Sequence, residues 1–321
     1  MAVIEQEVKE NYAVYNGDCL DVLPELKKES VHISVYSPPF NDLYNYSSSE
    51  RDLSNCKSYE EFFQHYEFLI DQINRVTLPG RFTIVHCMDI PQKGDRGVKD
   101  FPGDIIRLHE KNGFYYWGRR VIWKEPLRMA IRTRAKGLMH KQIVKDSSLT
   151  CVAGSDFLLE FRKKGENKIP VTHFEGLRYY AGANNPPADI VKKFGNGWDN
   201  PKTNKLSHWI WQQYASPVWM DIRNNYVLEY KPARDSEEEK HVCPLQLDVI
   251  ERASLLYSNP GEVLLTPFMG VGSEVCGALM NNRKGIGIEL KQSYYRQAVK
   301  NIYRTLEDDK KQGFSLINGK R

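Results

Sequence analysis

The stretch RFTIVHCMDI, Arg81 to Ile90, reads as a near-continuous apolar strand, with Ile84-Val85 and Cys87-Met88 as adjacent apolar pairs that break strict alternation. A strand with one wet face alternates apolar and polar residues; a near-continuous apolar run needs both faces covered, as in a parallel sheet between helices. Pro79-Gly80 before it reads as a turn, and YEEFFQHYEFLIDQINRV before that spaces its apolar residues as a helix does. The same alternation precedes and follows: AVYNGD as strand, CLDVLPELKKES as helix, VHISVY as strand, then FPGDIIRLHEKNGF as helix and YYWGRRVIWKEP as strand. It returns near the end, where CPLQLDVIERASLLYSNPG, SEVCGALMNN and SYYRQAVKNIYRTLEDD read as helices and EVLLTPF and KGIGIEL as strands. Between about 128 and 240 the texture is irregular, with AGANNPPAD, FGNGWDNPKTN and one clear strand, DFLLEFRKKG. The expected fold is α/β, a doubly wound and mostly parallel sheet assembled from two halves around an inserted region.

With 321 residues, 41% of them hydrophobic, the chain can bury one large core or two modest ones. Its net charge of +4 is too mild to name a partner. Six scattered cysteines form no CxxC pair, which argues against a zinc site or a disulfide framework and fits a reducing cytosol. No run of about 18 apolar residues and no secretory signal pattern are present, so a cytoplasmic protein without membrane contact is expected.

In VLLTPFMGVGSEVCGALM, Gly270 and Gly272 follow a strand and open a helix, where backbone can approach a nucleotide closely. Glu289 ends the next strand, 19 residues after Gly270, near the offset at which an acidic residue takes ribose hydroxyls. A dinucleotide fingerprint needs a small residue at position 275, which is Val275, and Glu274 in the first helical turn would repel a pyrophosphate. S-adenosylmethionine, with a ribose, no phosphate and a cationic sulfonium, suits the site better.

The strand VHISVY runs into Ser37-Pro38-Pro39-Phe40. Neither proline can donate to a sheet, so both stand in a stiff turn past the strand end. This corner, the PFMGVG loop, Asn16-Gly-Asp-Cys-Leu20, and His241 with Pro244 before a helix together resemble the DNA amino-methyltransferases. Their order is similar to the β arrangement, in which the catalytic motif comes first and the cofactor motif last. The resemblance spans roughly residues 12–165 and 239–304.

The resemblance implies transfer of methyl from S-adenosylmethionine to an exocyclic amine of a base flipped out of double-stranded DNA. It places Ser37, Pro38, Pro39 and Phe40 at the reaction: the Ser37 side chain and Pro38 carbonyl as acceptors for the amine, the prolines as stiffeners and Phe40 as the ring stacked on the base. It places Asp18, Cys19, Thr266, Pro267, Phe268, Gly270, Gly272, Ser273 and Glu289 against the cofactor, Asp18 as acceptor for the adenine amine or as a helix cap. Thr266 departs from the pattern, where Asp usually orients the glycine loop; weaker cofactor binding or a substitute hydroxyl bond is expected. Ser at the first catalytic position points to cytosine N4, with adenine N6 as the alternative. An RNA or protein-amide methyltransferase is disfavoured, because such relatives carry Asn-Pro-Pro and place the cofactor motif first.

Between Arg119 and Lys145 nine basic residues face one acidic residue, a local +8. That concentration fits phosphate neutralisation, with Arg128, Arg132, Arg134, Lys136 and Lys141 as DNA contacts. The expected organisation is a catalytic half at 1–127, a target-recognition region at 128–238, a cofactor half at 239–310 and a tail at 311–321. A monomer or homodimer, with a cognate restriction endonuclease as a potential partner, completes the expectation.

Overall fold

The computed structural model describes residues 3–39, 51–92, 97–133, 140–150, 154–195, 204–234 and 244–317. In chain order the first half holds strands β1 (Val3–Val8) and β2 (Tyr12–Gly17), helix α1 (Cys19–Val22), β3 (Val31–Tyr36), α2 (Tyr59–Val76), β4 (Thr77–Met88), β5 (Ile90–Pro91), β6 (Val98–Lys99), α3 (Phe101–Lys111) and β7 (Phe114–Ile122). There follow α4 (Pro126–Thr133), α5 (His140–Asp146), β8 (Asp156–Lys163), α6 (Ala188–Phe194), α7 (Lys205–Ala215) and β9 (Val218–Trp219). The last part holds α8 (Leu247–Tyr257), β10 (Val263–Thr266), α9 (Ser273–Met280), β11 (Lys284–Glu289) and α10 (Gln292–Ile317).

Among the described residues nine strands form one sheet in the order β1-β2-β11-β10-β3-β4-β8-β7-β9. The central five, β2, β11, β10, β3 and β4, run parallel, and β8 is antiparallel to both its neighbours. Helix α2 shows why these segments fold locally. Ser58 caps it by accepting from the Glu61 N–H at 3.1 Å, and the Glu61 carboxylate accepts from the Lys57 N–H at 2.6 Å. Phe62, Tyr66, Leu69, Ile70 and Ile73 then line one stripe and bury it on the sheet beside Tyr36 and Val85, each contributing about 1.5–3 kcal/mol of transfer free energy. On the opposite face α8 packs Val249, Ile250 and Ala253 against Ile33, Val35 and Leu264. The result is helices on both faces of one sheet, as expected from the alternation.

Four local expectations change. The helix expected over CLDVLPELKKES stops after Val22 and continues as a 3₁₀ turn at Leu23–Glu25, because Pro24 has no N–H to carry an α-helix on. Pro79-Gly80 lies within β4 as an irregularity, where the register against β3 jumps from Thr77 to Phe82. α10 continues to Ile317, past the point where a loosely structured tail was expected. Most consequential is β8: it falls inside the 128–238 segment, yet it sits in the sheet between β4 and β7. A segment inserted in sequence thus supplies an interior strand of the sheet. The rest of that segment has its own small core around Leu177, Leu206, Ile210 and Tyr214, tied to α8 through Arg252, which donates to the Ala181 carbonyl and to Asp221.

Candidate active site

β10 leads through α9 to β11 on one side, whereas β3 leads through α2 to β4 on the other, and β10 and β3 are neighbours. Ligands bind parallel sheets at such a switch, beyond the carboxyl ends of the strands. Ser37-Pro38-Pro39 leaves the end of β3 and Pro267-Phe268 leaves the end of β10, so both motif corners stand on the same rim. The Tyr36 and Phe268 rings meet at 5.9 Å between centroids, and one cavity is lined by Ser37, Pro38 and Pro39 together with Gly270, Ser273 and Glu289.

At the first corner a polar chain crosses four adjacent strands. Ser37 Oγ lies 2.8 Å from His86 Nδ1, near the end of β4, and His86 Nε2 lies 2.9 Å from Asp156 Oδ2, at the start of β8. Lys124, just past β7, places Nζ 3.0 Å from the same carboxylate. Burial pushes the Asp156 carboxyl up, but His86 and Lys124 outweigh it and hold the group well below the usual carboxylate range. An ionised Asp156 can only accept, so His86 Nε2 donates to it, and Nδ1 of the same ring faces the Ser37 hydroxyl. The Ser37 hydroxyl donates to the His86 carbonyl at 3.0 Å.

At the second corner the groups are mainly backbone. Gly270 and Gly272 have φ of +54° and +94°, a conformation that side chains rarely adopt, and the loop they form opens α9. Glu289 holds the loop, accepting from the Gly270 N–H at 2.7 Å and from the Lys291 N–H at 2.8 Å. Burial pushes its carboxyl up to about 7, against the pull of those two donors. Burial likewise raises Glu274 to about 8. Asp18 caps α1, accepting from the Leu20 N–H at 2.9 Å, while its other oxygen accepts from Arg51 at 3.2 Å.

Asp18, Cys19, Pro267 and Phe268 also line the cavity, whereas Thr266 and Gly272 stand outside its walls. The Thr266 hydroxyl is buried without a partner, so it does not replace the absent Asp; the Glu289 carboxylate orients the loop instead. Phe40, Arg134, Lys136 and His241 lie outside the described residues, as does the side chain of Arg132. Arg128 and Lys141 are exposed. Two cations of the basic stretch are not available to phosphates: Arg120 pairs with buried Glu160, and Lys124 with Asp156. Sequence reasoning missed His86 and Asp156. Each carries a faint signal, a polar residue late in an apolar strand and a carboxylate opening another.

A family model described as DNA methylase matches residues 31–300. The chain belongs to the DNA methylase family. The methylase is 21% identical to the type II methyltransferase M.MthZI of Methanothermobacter thermautotrophicus over 94% of its own length and 79% of the relative's. It is 23% identical to M.BglII of Bacillus subtilis over 88% of its length, spanning 66% of that longer protein. In fold it resembles PvuII DNA methyltransferase (cytosine-N4-specific), with a TM-score of 0.61 and 15% identity over 91% of this chain and 86% of that one. It also resembles a Thermus thermophilus protein, described as a DNA modification methylase and solved with S-adenosyl-L-methionine, with a TM-score of 0.57 and 20% identity over 91% and 95% of the two chains.

S-adenosylmethionine is the methyl donor of the family, and the cavity fits it. Its wall carries Glu289 and Glu274 for a cationic ligand, and the Ser273 hydroxyl is buried there without a protein partner. Among the described residues no helix is long and apolar enough to cross a membrane.

Proposed function

We propose that this methylase transfers the methyl group to the exocyclic N4 amine of a cytosine flipped from double-stranded DNA. The observation that carries the reading is the Ser37–His86–Asp156 chain, which opens into the cavity bounded by the glycine loop. With its own proton directed to His86, Ser37 Oγ turns its lone pairs to the cavity and accepts one amine N–H; the Pro38 carbonyl is the second acceptor. Two rigid prolines keep these acceptors in place between turnovers. Bound against Glu289, Asp18 and Ser273, S-adenosylmethionine supplies an electrophilic methyl group. Methylation releases one proton from the amine, and the chain provides its path: Ser37 Oγ receives it as the serine proton passes to His86 Nδ1, and Asp156 stabilises the imidazolium. His86 and Lys124 together keep Asp156 ionised. Phe40, directly after the prolines, stacks on the base.

Arg128, Arg132, Arg134, Lys136 and Lys141 contact the duplex, and the recognition region is the 128–238 segment without β8. Serine at position 37 favours cytosine; membership of a family of N6 and N4 methylases supports adenine N6 as the second reading. DNA methylated by the protein, digested to nucleosides and weighed by mass spectrometry, decides between them. N4-methylcytosine is expected; N6-methyladenine alone would replace the first reading with the second.

A further inference from the structure

The end of β3 carries two neighbouring side chains with separate polar partners. Ser37 meets His86, whereas Tyr36, the residue before it, meets a different histidine. Tyr36, Tyr66 on α2 and His109 on α3 are all fully buried, in a core otherwise made of apolar and aromatic side chains. Tyr66 donates its hydroxyl to the Tyr36 oxygen at 3.2 Å, and that oxygen lies 3.5 Å from His109 Nε2. His109 Nδ1 is 2.8 Å from the Ile105 carbonyl, which can only accept, so Nδ1 carries a hydrogen. Burial pulls the His109 ring down to about 3, so the ring is neutral and Nε2 bears a lone pair. Burial also pushes both tyrosine hydroxyls up, and they keep their protons. Every donor in the chain is thereby fixed: Tyr66 to Tyr36, Tyr36 to His109, and His109 to the backbone of α3.

Packing alone does not call for such a chain. Phenylalanine at 36 and 66 and leucine at 109 would fill similar space without burying polar groups, which cost free energy unless each is paired. What the chain adds is direction. The Tyr36 ring stands 5.9 Å from that of Phe268, and Phe268 lines the cavity from the end of β10. His109 in turn lies flat on Phe161 of β8, with 3.9 Å between centroids and 8° between planes. β8 is also the strand that opens with Asp156. A turn of the Tyr36 side chain would therefore shift the backbone leading into Ser37 and the contact with Phe268 together, and the bond to His109 opposes that turn.

We propose that Tyr36, Tyr66 and His109 are positioning residues for methyl transfer: their buried hydrogen-bond chain fixes the end of β3 and so holds Ser37 and Phe268 in register across the cavity. None of the three touches a reacting group. The inference rests on the proposed function, in which Ser37 meets the target amine, and holds for either base.

The test follows labelled methyl from S-adenosylmethionine into unmethylated genomic DNA, both at saturation, beside calorimetric cofactor affinity and melting temperature, for variants of the full chain. The triple variant Tyr36→Phe/Tyr66→Phe/His109→Leu removes the polar ends together, so none is left buried and unpaired. It is expected to keep the melting temperature and cofactor affinity of the wild type and to lose about 10- to 100-fold in turnover. If the triple variant fails to fold, two single variants carry the test: His109→Gln, whose Oε1 can accept from Tyr36, should keep most of the turnover that His109→Leu loses. Wild-type turnover in the triple variant, or equal losses in the Gln and Leu variants that track melting temperature, would overturn the proposal. Ser37→Ala in the same assay separates the two readings. Undiminished turnover there would sink the proposed function, whereas a Ser37→Ala loss beside an unaffected triple variant would sink the positioning chain alone.

Discussion

The two corners of the cavity stand on neighbouring strands and are built on opposite plans. The Ser37 corner takes its backbone shape from prolines and its chemistry from side chains brought in by β3, β4, β8 and β7. The Gly270 corner takes its shape from residues with positive φ and is held by one carboxylate gripping two backbone N–H groups. On the proposed function the Ser37 corner handles a proton, which needs titratable atoms in line that backbone cannot supply. A corner that must fit closely around a ligand needs backbone without side chains in the way.

If the two plans divide the work in this manner, variants should separate turnover from cofactor binding. Ser37→Ala has the largest expected effect, a loss of about 10²–10⁴ in turnover, with S-adenosylmethionine affinity by calorimetry unchanged. A comparable loss of affinity would mean that the corners are not separable. Asp156→Asn, which removes the charge that fixes the His86 tautomer, should lower turnover about a hundredfold. Asp156→Ala should also destabilise the fold by about 3–5 kcal/mol in urea titration, since it strands Lys124 without its buried partner.

Glu289→Ala should act in reverse, weakening cofactor binding about 10- to 100-fold while turnover at saturating cofactor persists. Outside both corners, Arg128→Ala or Lys141→Ala should weaken DNA binding several-fold regardless of sequence. Each should also flatten the slope of log affinity against log salt by about 1, measured by fluorescence anisotropy.

The smallest effect expected is on pH dependence. Glu274 and Glu289 are raised to about 8 and about 7 from an ordinary 4.5, so the folded state holds protons that the unfolded chain has lost. Their contribution to stability is present below about 4.5 and fades as pH climbs through 7 to 8. Melting temperature of the ligand-free protein should therefore fall by a few degrees between pH 5 and pH 8, and Glu274→Gln should flatten the decline. A flat wild-type profile would show that both carboxylates are ionised throughout, with the loop held by a full charge.

Both corners are legible in the chain because each is local. Prolines after an apolar run, or glycines between a strand and a helix, state their own geometry, and each motif follows a parallel strand and so lies at its carboxyl end. Glu289 follows from its spacing within the same strand–helix–strand unit. What pairs across the sheet is not local. His86 stands 49 residues from Ser37, and Asp156 another 70 beyond, in a segment whose irregular neighbours hide its strand. Arg120 and Lys124 look in sequence like their neighbours in a basic run, and only their burial beside Glu160 and Asp156 distinguishes them. Periodicity and turn chemistry act over a few residues and write the elements and their order into the chain. Which residues share a rim, and which charges lose their water, depends on strand order and packing, which no short window of sequence contains.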